Sequence, residues 1–157
     1  MEPARLFALA FSLAGTLWCA IDSTTAFDQI KTLQGDWKIQ SGSKLLSFPV
    51  TYAPGSKGSI VTEQFGKELS VFFPETGDLN MIHFCNAGNQ PHLRLNRQDS
   101  SPKRLVFDTV SVTNLPAPDK PHVQHIIYDF VTPSTVNLEI VWEASKDRES
   151  EKYVLTR

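Results

Sequence analysis

The chain is poor in cysteine: Cys19 and Cys85 are the two among 157 residues. Any form that keeps only Cys85 has no intramolecular disulfide and must be stable through its core alone. Basic runs are missing too, and the formal net charge is −2. Neither nucleic acid nor an anionic membrane surface is therefore expected as a partner. The sequence has no Gly-rich phosphate loop, no nucleophile elbow, no His-Glu-x-x-His and no Cys-x-x-Cys. Paired carboxylates suited to acid–base chemistry are not evident, since Glu139 and Glu143 share a polar strand face. No catalytic residue is assigned on these grounds, no cofactor is specified, and the reading leans away from an enzyme. Asn-x-Ser/Thr sequons, internal repeats, low-complexity tracts and domain boundaries are also lacking.

What is present begins with the N-terminus. Arg5 precedes an almost continuous apolar run, Leu6 to Trp18, broken by Ser12, Gly15 and Thr16. The run is shorter than the roughly 20 residues of a membrane-spanning helix. A charged start, an apolar centre and small residues beyond match an export signal. Residues 1–26 are read as that signal, with cleavage after Ala26 preferred to Ala20 because Thr24 and Ala26 are small whereas Trp18 is bulky. The mature chain, 27–157, is then one exported domain, periplasmic or secreted, with no transmembrane segment.

Ten prolines, eight glycines and ten phenylalanines point to turns and β structure. Phe27 to Leu33 reads as a short helix with Phe27, Ile30 and Leu33 on one side, ended by Gln34-Gly35. Beyond it lie candidate strands at 36–40, 46–52, 59–65, 69–73, 79–85, 92–97, 104–112, 123–131, 135–143 and 151–156. Turn chemistry separates them at Pro54-Gly55, Pro74–Asp78, Pro102, Pro133-Ser134 and Lys146–Arg148. Asn114–Pro121, with three prolines, reads as an ordered loop or lid. In the strand at 135–143, Val136, Leu138, Ile140 and Trp142 share one face. The fold class is all-β: an up-and-down antiparallel barrel of about 8–10 strands after a short helix, closed so that no sheet edge is left exposed.

A short helix followed by Gly35-Asp36-Trp37 at the first strand resembles the calycin superfamily, the lipocalin-type barrels. The resemblance implies that Trp37 plugs one end of the barrel with a basic residue of the last strand over it, here Arg157. His83-Phe84-Cys85 followed by Gly88-Asn89-Gln90-Pro91, with the His122/His125 segment, is similar to a family of exported bacterial proteins. That likeness implies no particular activity.

His83 and Cys85 are two apart on one strand, so both face the same side, with Leu79 and Met81. Imidazole nitrogen and thiolate sulfur are good transition-metal ligands. A further ligand would come from His122 or His125; three apart, these point to opposite strand faces unless a bulge intervenes. A Cys–His nucleophile is a second reading, with no clear orienting group besides Asn86 or Asn89. A buried thiol and a satisfied core histidine are the third. Gly88 permits a positive φ, and Asn89 and Gln90 offer amides near the barrel rim. The leading expectation is a binding barrel for a small, mostly apolar ligand, contacted by His83, Cys85, Asn89, Gln90, His122, His125 and Trp142. The alternatives are a metal- or thiol-dependent site on His83 and Cys85, and a structural or interaction protein with no internal ligand.

Overall fold

The computed structural model describes residues 20–145 and 147–157. The expected charged start and apolar run of the export signal lie outside the described residues. Helix α1 (Ser23–Lys31) comes first. It starts four residues before the expected Phe27 because Asp22 caps it: the Asp22 carboxylate accepts the Thr25 N–H at 2.9 Å. Ser23, Ala26, Phe27 and Ile30 are buried, the i, i+3, i+4, i+7 stripe of a helix with one apolar face. Burying Phe27 and Ile30 stabilises the fold by about 1.5–3 kcal/mol each. Arg97 fastens the start of α1 by donating to Ser23 Oγ at 2.7 Å, to the Gly77 carbonyl and to Asp78.

Eleven strands follow: β1 (Gly35–Ser41), β2 (Lys44–Leu45), β3 (Val50–Gly55), β4 (Ile60–Phe65), β5 (Glu68–Glu75), β6 (Asp78–Phe84), β7 (Gln90–Leu95), β8 (Arg104–Thr113), β9 (His122–Thr132), β10 (Thr135–Ala144) and β11 (Asp147–Thr156). From β3 to β11 each strand pairs antiparallel with the next. β3 also pairs with β1, and β1 closes the circuit on β11 at Lys38–Thr156, Ile39–Leu155 and Gln40–Val154. Ten strands form the closed barrel, and β2 folds back on the end of β1. Closure satisfies the edge hydrogen bonds that an open meander would expose.

The expected strand at 46–52 is replaced by β2, a bend and β3. Pro49 lacks the N–H a continuous ladder would use there. Pro54 and Pro74 were expected in turns, yet each lies inside a strand, next to its terminal residue, as does Pro91. There a missing donor costs least.

Inward residues alternate along β4, β5 and β6. Val61 and Glu63 of β4, Ser70 and Phe72 of β5, and Leu79, Met81 and His83 of β6 are all buried. The middle is filled: Phe72, Phe107 and Tyr128 meet edge to face with ring centroids 5.7–6.2 Å apart. At one end Trp37 is buried, its Nε1 donates to the Leu33 carbonyl at 2.6 Å, and the Arg157 guanidinium lies 4.5 Å from its ring centre. Arg157 also donates to the carbonyls of Thr32, Gln34 and Pro133. This is the plug that the calycin resemblance implied. The other end is a mouth ringed by the β2–β3, β4–β5, β6–β7, β8–β9 and β10–β11 connections.

Candidate functional site at the barrel mouth

A polar track runs inside the barrel toward this mouth. Glu63 is buried. Its Oε2 accepts from the Tyr52 hydroxyl at 2.5 Å and the Tyr128 hydroxyl at 2.7 Å, and its Oε1 accepts from Ser70 Oγ at 3.0 Å. Ser70 Oγ is also 3.1 Å from His83 Nδ1. A serine hydroxyl has one hydrogen. Ser70 gives it to Glu63, so His83 Nδ1 must carry the proton that bonds Ser70. In neutral His83, Nε2 is then the nitrogen that carries the lone pair.

That lone pair faces Glu68 at the start of β5, with Nε2 and Glu68 Oε2 3.8 Å apart. His83 is 2% exposed, and Nε2 is buried with no hydrogen-bond partner. Cys85 follows β6. Its thiol lies 3.7 Å from Glu68 Oε1, and the Ala87 N–H points at its sulfur from 3.3 Å. The Asn86 N–H donates to Glu68 Oε1 at 3.1 Å. The turn holding both amides is closed by Gly88 N–H to the Cys85 carbonyl at 2.9 Å, and Gly88 sits at φ +88°. A ligating atom from each of Glu68, His83 and Cys85 lies within 4.8 Å of the others.

Burial pushes the His83 pKa below its ordinary value, opposed by the negative charges of Glu68 and Glu63. Burial also pushes the Cys85 thiol up, partly offset by the Ala87 N–H and reinforced by Glu68. The nucleophile reading needs a lowered thiol pKa, and this environment acts in the other direction.

Beside the cluster opens a cleft of about 560 Å³ lined by Phe48, Phe65, Gly66, Lys67, Glu68 and Asn86. Phe65 stacks edge to face on Phe48 at 5.7 Å and on Tyr153 at 5.2 Å. Gly66 turns the chain at φ +58°, and a Cβ there would press on the Phe48 ring at 3.3 Å. A cleft of about 430 Å³ lies at the plugged end beside Trp37 and Arg157. Another of about 320 Å³ runs from Trp37 and Arg157 to the β2–β3 connection and shares Phe48 with the cleft at the mouth.

The remaining expected site residues distribute around the same rim. Asn89 is buried; its Nδ2 donates to the Pro121 carbonyl at 3.1 Å, which ties the 114–121 loop to the β6–β7 turn, while its Oδ1 has no partner. Gln90 bonds outward to Gly88, Thr113 and Asn114. Trp142 packs on the core with Nε1 buried and unpaired, beside a cleft of about 170 Å³. Val123 and Ile126 are both buried, so β9 bulges between them and Gln124 and His125 both turn outward. His125 Nδ1 lies 2.7 Å from Asp108, and His122 contacts Lys120 and Gln124. Neither histidine belongs to the His83 cluster. Its third member is Glu68, which sequence reasoning missed because the cross-strand register, Leu69 opposite Phe84, is what sets Glu68 beside Cys85.

Fold and site together define a closed ten-stranded antiparallel barrel, plugged at one end, whose buried polar track reaches the opposite mouth. No protein family and no curated protein matches this chain.

Proposed function

We propose that the protein is an exported binding barrel that takes a small, largely apolar ligand at its mouth. The observation that carries this reading is the cleft on Phe48, Phe65 and Gly66 with Glu68 and Asn86 at its side. Its volume lies within the range of small-molecule sites, about 300–1,000 Å³, and it joins an apolar floor to a few converging polar groups. The aromatic packing of Phe72, Phe107 and Tyr128 argues for the mouth over the barrel axis, because a ligand there would have to displace core side chains. Asn89, Trp142 and the 114–121 loop lie elsewhere on the rim, where Pro121 and Trp142 line a separate cleft of about 170 Å³.

The test is a fluorescence titration with N-phenyl-1-naphthylamine, a neutral apolar probe. Saturable one-to-one binding that weakens about tenfold in Phe48→Ala is expected, corresponding to roughly 1.4 kcal/mol of lost apolar contact. Leu45→Ala, at an exposed residue that lines the neighbouring cleft sharing Phe48 but not the site itself, should leave it unchanged, and so distinguishes the two clefts. Equal binding by native protein and Phe48→Ala would overturn the reading.

A further inference from the structure

We infer that Glu68, His83 and Cys85 form a binding site for one zinc-class divalent metal ion at the barrel mouth. The inference stands apart from the apolar-ligand reading: it uses side chains beside the cleft and needs no organic ligand.

Four observations carry it. First, an imidazole nitrogen, a sulfur and a carboxylate oxygen from two adjacent strands converge within 4.8 Å. Tetrahedral ligands of zinc stand about 3.3–3.6 Å apart, given bonds of about 2.0–2.3 Å. Rotamer adjustments that draw the atoms together by at most about 1.2–1.5 Å close that gap, and Glu68 lies at the rim, only partly buried. Second, the hydrogen-bond chain fixes the tautomer. Ser70, held by Glu63, accepts the Nδ1–H, so in neutral His83 the Nε2 lone pair is directed toward Glu68. A metal-bound histidine has this arrangement, its second nitrogen donating to an oriented partner. Third, an Nε2 lone pair and a carboxylate 3.8 Å apart at the rim form a place for a cation, which a metal ion can occupy in competition with a proton on Nε2. Fourth, the surrounding backbone suits the anionic ligands, with Ala87 N–H aimed at the Cys85 sulfur and Asn86 N–H at Glu68.

Charge balance favours a divalent ion. Binding releases the Cys85 thiol proton to solvent, and a 2+ ion with one thiolate, one carboxylate and neutral imidazole is electrically neutral. A neutral centre avoids the cost of a net buried charge. Three protein ligands leave a fourth position, the pattern of zinc sites that bind an exchangeable group.

The test is isothermal titration of the chelator-treated full chain with Zn²⁺, in buffers of differing ionisation enthalpy, alongside Co²⁺ absorption spectra. The expected result is one ion per chain, about one proton released, and a Co²⁺ spectrum with tetrahedral d–d intensity and a sulfur-to-cobalt charge-transfer band. Cys85→Ser should abolish that band and Glu68→Gln should weaken Zn²⁺ binding, each by more than the roughly 10–100-fold expected for loss of an outer partner, as in Ser70→Ala. The native spectrum decides the matter even if a variant folds poorly. No stoichiometric Zn²⁺ uptake, or a Co²⁺ spectrum without the sulfur band, would overturn the site. Phe48→Ala should bind Zn²⁺ like the native chain, so failure of this site and failure of the apolar cleft are read separately.

Discussion

At the scale of single residues, Glu63 organises the interior. One buried carboxylate accepts three hydroxyls, from Tyr52, Tyr128 and Ser70. Removing a shared acceptor leaves buried donors unpaired, and each costs about 1–3 kcal/mol. Glu63→Ala is therefore expected to destabilise by more than about 3 kcal/mol, whereas Glu63→Gln, which keeps one acceptor oxygen and the volume, should cost about half as much. Urea denaturation of both variants measures this; equal costs would show that the hydrogen bonds do not dominate.

Tyr52 and Tyr128 also set an alkaline limit. Burial, and then the Glu63 charge, pushes both phenols well above their ordinary value of 10.0. Above that value the unfolded chain loses phenolic protons that the native chain keeps, so stability falls as pH rises. Below it this contribution is fully present. Tyr153, the remaining tyrosine, is shifted upward as well, by burial first and then by Glu151. A spectrophotometric titration should accordingly show no tyrosinate absorbance near the ordinary value until the protein unfolds, and then a cooperative rise. A smooth single-residue titration near that value in the folded protein would contradict the buried network.

Among the elements, α1 carries the clearest expectation. Asp22→Ala removes the cap and should cost about 1 kcal/mol of stability, read as a lower midpoint in thermal unfolding. Ala26 lies inside the helix, fully buried, and Ile21 is 4% exposed. Deletion of residues 1–20 keeps the cap, the Ser23–Arg97 contact and the buried stripe, while deletion of 1–26 removes all but the last part of the helix. The shorter deletion should fold and the longer one lose several kcal/mol, as buried apolar residues and a cap are lost together. Comparable melting of the two deletions would show that α1 does not support the barrel.

The elements also show what could be read in advance. Period-two alternation and proline–glycine punctuation located nine of the ten barrel strands within a few residues, because those signals are local. Trp37 and Arg157 were paired through a family resemblance. Glu68 was invisible because its partnership depends on register between two strands. His122 and His125 were expected on opposite strand faces unless a bulge intervened; one does, at Gln124, and no local pattern in Val123–Ile126 announces it.

For the whole molecule, the two barrel ends differ in kind. One is sealed by α1, Trp37 and Arg157, with the indole N–H and the guanidinium bonded to backbone carbonyls. The other gathers the buried polar atoms that lack them among the described residues: His83 Nε2, Asn89 Oδ1 and Trp142 Nε1. Natural interiors pair nearly all such atoms, so their clustering at one rim sets that end apart from the plugged one. Arg157→Ala should lower stability by about 1–2 kcal/mol through the lost cation–π contact and carbonyl bonds, without changing probe binding at the mouth. A melting curve and a probe titration on the same sample check both halves of that statement.

The central claim is that ligands bind at the mouth and not along the filled axis. The most direct measurement is amide chemical-shift mapping during titration with N-phenyl-1-naphthylamine. The account predicts shifts concentrated at Phe48, Phe65–Glu68 and Asn86–Ala87, with Leu93, Leu105 and Phe107 unmoved. Shifts centred on those core residues, or on α1 and Arg157, would contradict it.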